Sequence, residues 1–202
     1  AEARSNVQHA REGFAALCGP EHPLTLKACH NEAMAAQLEG RMDEARRGYE
    51  DVLERRKRVL GPEHLDTLKT SCNLGLVLHH AGARPEAEAL LRAALRGLER
   101  VVGRRHQLAL VALQNLSLAL AARRPPPAEA EELAREALEG KQRSLGPDHP
   151  DTLEASRDFA SVLAKCGKGE EAEAALRNTL AGMEKVLGFS HPTTVKLVAQ
   201  LR

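Results

Sequence analysis

The chain has 202 residues, 43% hydrophobic and 28% charged, with 29 basic and 28 acidic side chains. The near-neutral balance of +1 argues against a dedicated binder of nucleic acid or of anionic membranes, which carries a marked basic excess. Aromatics make up only 2% (Phe14, Tyr49, Phe159 and Phe189, with no Trp), too few for base-stacking platforms or an aromatic-lined cofactor pocket.

What remains is rich in Leu, Ala, Glu and Arg, the strong helix formers, so the expected class is all-α. The longest apolar run, Leu108 to Leu113, falls far short of the roughly 18–20 residues of a membrane span. The N-terminal stretch has no apolar signal-peptide core. Cys18, Cys29, Cys72 and Cys166 are widely spaced, with no CxxC pair. They read as reduced, partly buried thiols of an intracellular, cytoplasmic chain.

Self-similarity organises the sequence. GPEHP begins at Gly19, GPEHL at Gly61, GRRHQ at Gly103, GPDHP at Gly146 and GFSHP at Gly188, at spacings of 42, 42, 43 and 42 residues. In chain order this gives a half-repeat over 1–18, repeats over 19–60, 61–102, 103–145 and 146–187, and a half-repeat over 188–202, all in one domain. Each repeat reads as two helices. In the first they run from Leu24 to Leu38 and from Met42 to Leu60, with Gly40 in the turn between them. Pro23 and Pro150 suit a first helical turn, which places His22 and His149 near the N-cap. Gly82 and Gly167 repeat the turn of Gly40, whereas the third repeat has Arg124-Pro125-Pro126-Pro127 there, and a rigid, displaced turn is expected. Ala33, Gly75, Ser117 and Ala160 keep the middles of the first helices small. A lone helix pair cannot bury its apolar face, so the repeats must stack. The expected fold is a right-handed α-solenoid of antiparallel helix pairs, with first helices on the concave side and second helices on the convex side.

The columns GPEHPxTL, NL(A/G) and GxxxEA, and the terminal VLG, resemble the tetratricopeptide repeats of the kinesin light chain type, whose unit is about 42 residues. The resemblance covers nearly the whole chain and implies a scaffold for protein–protein interaction. Ala1 aligns inside a second helix and Arg202 inside a first helix, so the chain reads as a piece of a longer array.

One column of polar residues recurs in the first helices: Asn31, Asn73, Asn115 and Asp158, with Gln200 in the last half-repeat. Asn is a middling helix former, so its repetition needs a reason. One reading is hydrogen bonding between stacked helices. The other is an amide ladder that meets an extended peptide backbone, the role the resemblance implies for such asparagines. One turn earlier stand Lys27, Lys69, Val111, Glu154 and Lys196, positive at first and then mixed, which favours an acidic or C-terminal carboxylate ligand near the first two repeats. The candidate peptide-binding residues are therefore Asn31, Asn73, Asn115, Asp158, Lys27 and Lys69. The alternative is a structural subunit or regulatory arm of a larger assembly, packed through helix edges and repeat ends.

No catalytic role is expected. GxxxxGK[ST], GxSxG, HExxH and GxGxxG are all missing from the sequence. The five loop histidines recur one repeat apart, too far for a shared metal ion, and are expected to cap helices. The basic runs Arg55-Arg56-Lys57-Arg58 and Arg104-Arg105 are expected to complement the dipoles of second-helix C-termini. No cofactor, metal, nucleic acid or membrane insertion is expected; the partner is a protein or peptide.

Overall fold

The structure is a computed structural model that describes residues 2–200, with side chains for 8–199. Ala1, Leu201, Arg202 and the side chain of Gln200 lie outside the described residues. The described residues form ten α-helices and no strand. They divide into two compact units, Ala1–Gly103 and Arg104–Arg202. The first holds α1 (Glu2–Cys18), α2 (Pro23–Leu38), α3 (Met42–Val59), α4 (Leu65–His80) and α5 (Arg84–Val101). The second holds α6 (Gln107–Ala121), α7 (Ala128–Leu145), α8 (Pro150–Lys165), α9 (Gly169–Leu187) and α10 (Pro192–Gln200).

The GPxH string builds each inter-repeat loop. Its glycine takes a positive φ, from 84° to 94° at Gly19, Gly61, Gly103, Gly146 and Gly188, which stops the preceding helix. Three residues later the histidine is the N-cap of the next helix. Nδ1 of His22, His64, His106, His149 and His191 accepts the backbone N–H two residues on, at 3.1–3.3 Å. An imidazole thus does the work usually given to Ser or Asp, satisfying one orphan donor of the first turn. The threonine of the motif ties the loop back: Thr25 Oγ1 donates to Gly19 O at 2.8 Å and Thr67 Oγ1 to Gly61 O at 2.9 Å. The loop acid pairs with the end of its own second helix, as Glu21 with Arg58, Glu63 with Arg100, and Asp148 with Lys185. These exposed pairs are worth at most about 1 kcal/mol each. In the GRRH loop, Arg104 instead meets Glu136 of α7 at 2.7 Å.

Each first helix packs antiparallel on the second helix of its repeat, and the contact is close because one side of it lacks a side chain. A Cβ on Gly97 of α5 would stand 2.6 Å from Leu68 Cδ2 of α4, and one on Gly182 of α9 the same distance from Leu153 Cδ2 of α8. Gly75 is tighter still, since a Cβ there would lie 2.5 Å from Leu91 Cγ. The core then continues across the repeat boundary. In the first unit one cluster joins Ala33 and Ala36 of α2, Ala45, Tyr49 and Leu53 of α3, Leu74, Val77 and Leu78 of α4, and Ala87 of α5. In the second, Leu153, Met183 and Leu197 join α8, α9 and α10. Repeats therefore share their core with the neighbouring repeat, as stacking requires.

Two glycines on helices should respond oppositely to alanine. Gly75→Ala forces a methyl into Leu91 and should destabilise the protein by about 1–3 kcal/mol. Gly13→Ala in α1, where nothing stands within 4 Å, should stabilise it by about 0.5–1 kcal/mol through helix propensity. Denaturant unfolding followed by circular dichroism reads both signs.

Candidate functional site

Spacings of three and four residues place Leu24, Lys27, Asn31, Met34 and Leu38 along one stripe of α2. Leu24, Met34 and Leu38 are 44%, 39% and 82% exposed, and Lys27 is exposed beside the half-buried Asn31. The matching stripe of α4 carries the exposed Lys69 and the half-buried Asn73. Neither lysine forms an ion pair with a described residue. The two stripes are neighbours, because Asn73 of α4 bonds to His30 of α2. The first unit thus brings Lys27, Asn31, Lys69 and Asn73 together on one α2–α4 face. The second unit differs. Asn115 on α6 is buried, at 5% exposure, and Asp158 on α8 stands near the exposed Glu154.

Behind the α2–α4 face lies a polar network among side chains that are mostly buried. Asn73 Nδ2 reaches His30 Nε2 at 3.3 Å and the Tyr49 hydroxyl at 3.4 Å. Tyr49 in turn donates to Gln37 Oε1 at 3.0 Å, and its ring lies 5.3 Å from that of His30. His30 Nδ1 is 3.3 Å from Thr70 Oγ1. Arg56 Nη1 donates to the same hydroxyl and to the Asp66 carbonyl, both at 2.7 Å. Arg56 stands in the last turn of α3 with Lys57 and Arg58, as expected of that basic run, but it is only 2% exposed. Its charge is met by a carbonyl and a hydroxyl, with the Asp66 carboxylate 4.0 Å away. Of the other members of that basic run, Lys57 and Arg58 are exposed and Arg55 is half-buried.

The second unit repeats the plan with other residues. Lys141, 85 residues after Arg56 and 3% exposed, donates to Gln114 Oε1 at 2.6 Å and to the Asp151 carbonyl at 3.3 Å. Gln114 occupies the column of His30 and passes the bond on, with Nε2 donating to Asp158 Oδ2 at 2.7 Å. Arg157 Nη2 covers Asp158 Oδ1 at 3.1 Å. In both units, then, the Asn-column residue of one first helix is bonded to the preceding first helix. That is the stacking role, and it engages Asn73 and Asp158. Sequence reasoning missed His30, Tyr49, Arg56, Gln114 and Lys141. A signal was there: the apolar column that reads Leu98 and Met183 in the second and fourth repeats reads Arg56 and Lys141 in the first and third.

Burial shapes the titration of these groups. It pulls His30 down to about 4, and the Arg56 and Lys69 cations push the same way. It pushes the Tyr49 phenol up to about 12 and lowers the Lys141 ammonium.

Two clefts flank other surfaces of the helix pairs. One of about 320 Å³ lies against α2 and α3, where Arg11 pairs with Glu32 at 3.1 Å and Arg55 with Asp51 at 3.0 Å, so its charges are largely spent on each other. The other, of about 350 Å³, is lined by Thr152, Ser156 and Thr179 of α8 and α9. Among the described residues no group of three or more His, Cys, Asp or Glu side chains could hold a metal ion. No helix among them is long and apolar enough to cross a membrane.

Comparison with known proteins places this geometry. A tetratricopeptide repeat family model matches residues 28–100 and 126–185. Two crystal structures of the kinesin light chain-type, nearly identical TPR-like repeats from Podosopora anserina match as well. One, of a point variant, superposes with a TM-score of 0.67 at 24% identity, over 92% of this chain and 87% of that one. The other gives 0.64 at 25% identity, over 91% and 87%. BtubC (BKLC) from P. vanneervenii gives 0.65 at 20% identity, over 84% of this chain and 66% of that one. No curated protein matches the sequence. The described residues thus share the all-helical fold of stacked helix pairs seen in these kinesin light chain-type repeats.

His30 is expected to make the protein acid-sensitive. Its folded pKa lies below the unfolded value near 6.5, so the unfolded chain binds the proton more readily. The stability contributed by the neutral ring should be complete above about pH 6.5 and be lost as pH falls through about 4, by up to about 3 kcal/mol. In His30→Gln that part of the slope should vanish from denaturation curves measured between pH 4 and 7.

Proposed function

The chain belongs to the tetratricopeptide repeat family, and from that premise we propose that it is a non-enzymatic scaffold whose α2–α4 face binds an extended, acidic segment of a partner protein. Repeats of this family mediate protein–protein interaction. The finer reading rests on one observation: Lys27 and Lys69, exposed and without ion-pair partners among the described residues, stand on adjacent helices beside Asn31, Asn73 and the exposed Leu24 and Met34. Two unneutralised cations next to apolar side chains suit a carboxylate-bearing peptide that also carries apolar groups. Asn31 and Asn73 supply amide atoms for the peptide backbone. The second unit is a poor home for the same acidic ligand, because Glu154 and Asp158 occupy the matching positions and Asn115 is buried. Recognition proceeds without chemistry: charge steers the segment, and backbone hydrogen bonds set its register. With so few aromatics to act as anchors, affinity should be modest, on the order of micromolar.

Charge reversal tests the proposal. Peptides selected for binding from an acidic display library should bind Lys27→Glu/Lys69→Glu about 10–30-fold more weakly. They should also lose affinity with rising salt on the parent protein. Unchanged titration curves for the double variant, with its circular dichroism intact, would sink the α2–α4 face.

A further inference from the structure

The bonds around Asn73 use both of its amide hydrogens. Nδ2 meets His30 Nε2 at 3.3 Å and the Tyr49 hydroxyl at 3.4 Å. Each partner has its remaining valence committed elsewhere. The Tyr49 hydrogen goes to Gln37 Oε1, which leaves lone pairs for Asn73. The Thr70 hydroxyl donates to the Asp66 carbonyl at 2.8 Å, so it must accept from both Arg56 Nη1 and His30 Nδ1. His30 is therefore the neutral ring with its hydrogen on Nδ1 and a lone pair on Nε2 facing Asn73. Only one polar atom of the Asn73 side chain, Oδ1, is left without a bond to a described residue.

We propose that His30 is a positioning residue: it locks the Asn73 amide so that the α2–α4 face presents a hydrogen-bond acceptor, and its protonation turns the amide over to present a donor instead. The inference rests on that face being the one a partner meets. An imidazolium carries N–H on both nitrogens, so Nε2–H would point at the Asn73 amino group, donor against donor. Rotating the amide relieves this by aiming Oδ1 at the ring, which breaks the bond from Nδ2 to Tyr49 and swings the amino group outward. At neutral pH the face thus selects partner groups that donate, such as a backbone N–H or an amide side chain. In acid it selects acceptors.

The groups around His30 set where this happens. Arg56 and Tyr49 face it from α3, and Asp66, Lys69, Thr70 and Asn73 from α4; among the described side chains of α1 none adds a charge acting on it. Two cations and burial oppose a proton on the ring, and one carboxylate favours it. The acceptor state therefore holds throughout the neutral range. The second unit has the same hook without the switch. Gln114 stands in the column of His30, fixed by Lys141 and donating to Asp158, and it has no proton to gain.

Nuclear magnetic resonance on the intact 15N-labelled chain reads the lock directly. At pH 7.5, His30 should be the Nδ1–H tautomer. The Asn73 side-chain NH2 should exchange with solvent at least tenfold more slowly than that of the exposed Asn178, and its resonances should move together with the His30 titration. His30→Gln should keep the NH2 protected and remove its pH dependence, and Tyr49→Phe should lower the protection. An Nε2–H tautomer, or an Asn73 amide that exchanges like Asn178, overturns the lock whatever the chain binds. A binding arm uses a peptide selected against the intact chain at pH 7.5, with each backbone nitrogen methylated in turn. One methylation should weaken binding about tenfold to the parent protein and less than threefold to Asn73→Ala. A peptide that needs Lys27 and Lys69 yet tolerates methylation everywhere keeps the docking face and overturns the acceptor. Loss of the lysine dependence with the NMR result intact overturns the docking face instead.

Discussion

Within each repeat the two helices meet where one of them carries no side chain. Leu68 lies on Gly97, Leu153 on Gly182, and Leu91 on Gly75. Dispersion falls off steeply with distance, and bare backbone at these positions lets the facing leucine seat against it and the two helices approach closely. A chain with almost no aromatics depends on such contacts, since it cannot fill space with large rings. Tyr49, fully buried in the first unit, is the exception, and it is where the polar network begins.

That network shows what the stacking requires of polar residues. Neighbouring first helices come close enough that a residue facing its predecessor must be apolar or bonded. Both units use the second course, with His30 holding Asn73 and Gln114 holding Asp158. Each then draws a long cation from the intervening second helix, Arg56 or Lys141, onto the first turn of the next repeat. A buried cation held by carbonyls and hydroxyls, with Arg56 Nε left without a partner, is poor evidence for stability, because the desolvation cost is large. What it changes is the column itself: the first and third repeats carry Arg56 and Lys141 where the second and fourth carry Leu98 and Met183.

The same arrangement links packing to the exposed α2–α4 surface. Asn31 and Asn73 line the exposed α2–α4 face, but the network behind Asn73 decides which of its atoms look outward. Lys27 and Lys69 escape that coupling, being exposed, and they give the first unit a charge that the second reverses with Glu154 and Asp158. One fold thus carries two chemically different faces on equivalent helices.

Helix limits to within a residue or two, the loop glycines and the capping histidines were all legible in the sequence, because they follow from local rules: φ preference, N–H satisfaction, and the spacing of apolar residues along one helix. The lysine and asparagine columns were legible for the same reason. What the tertiary structure alone decided was the fate of each column member. Asn115 is buried, Asn73 is bonded to His30, and Arg56, read as one of the cations at a helix C-terminus, is drawn into the interior. Those outcomes depend on which side chain of a neighbouring helix stands opposite, and a residue 40 or more positions away in the chain, such as His30 for Asn73, supplies that partner. Local pattern fixes the direction in which a side chain points; only packing fixes what it meets there.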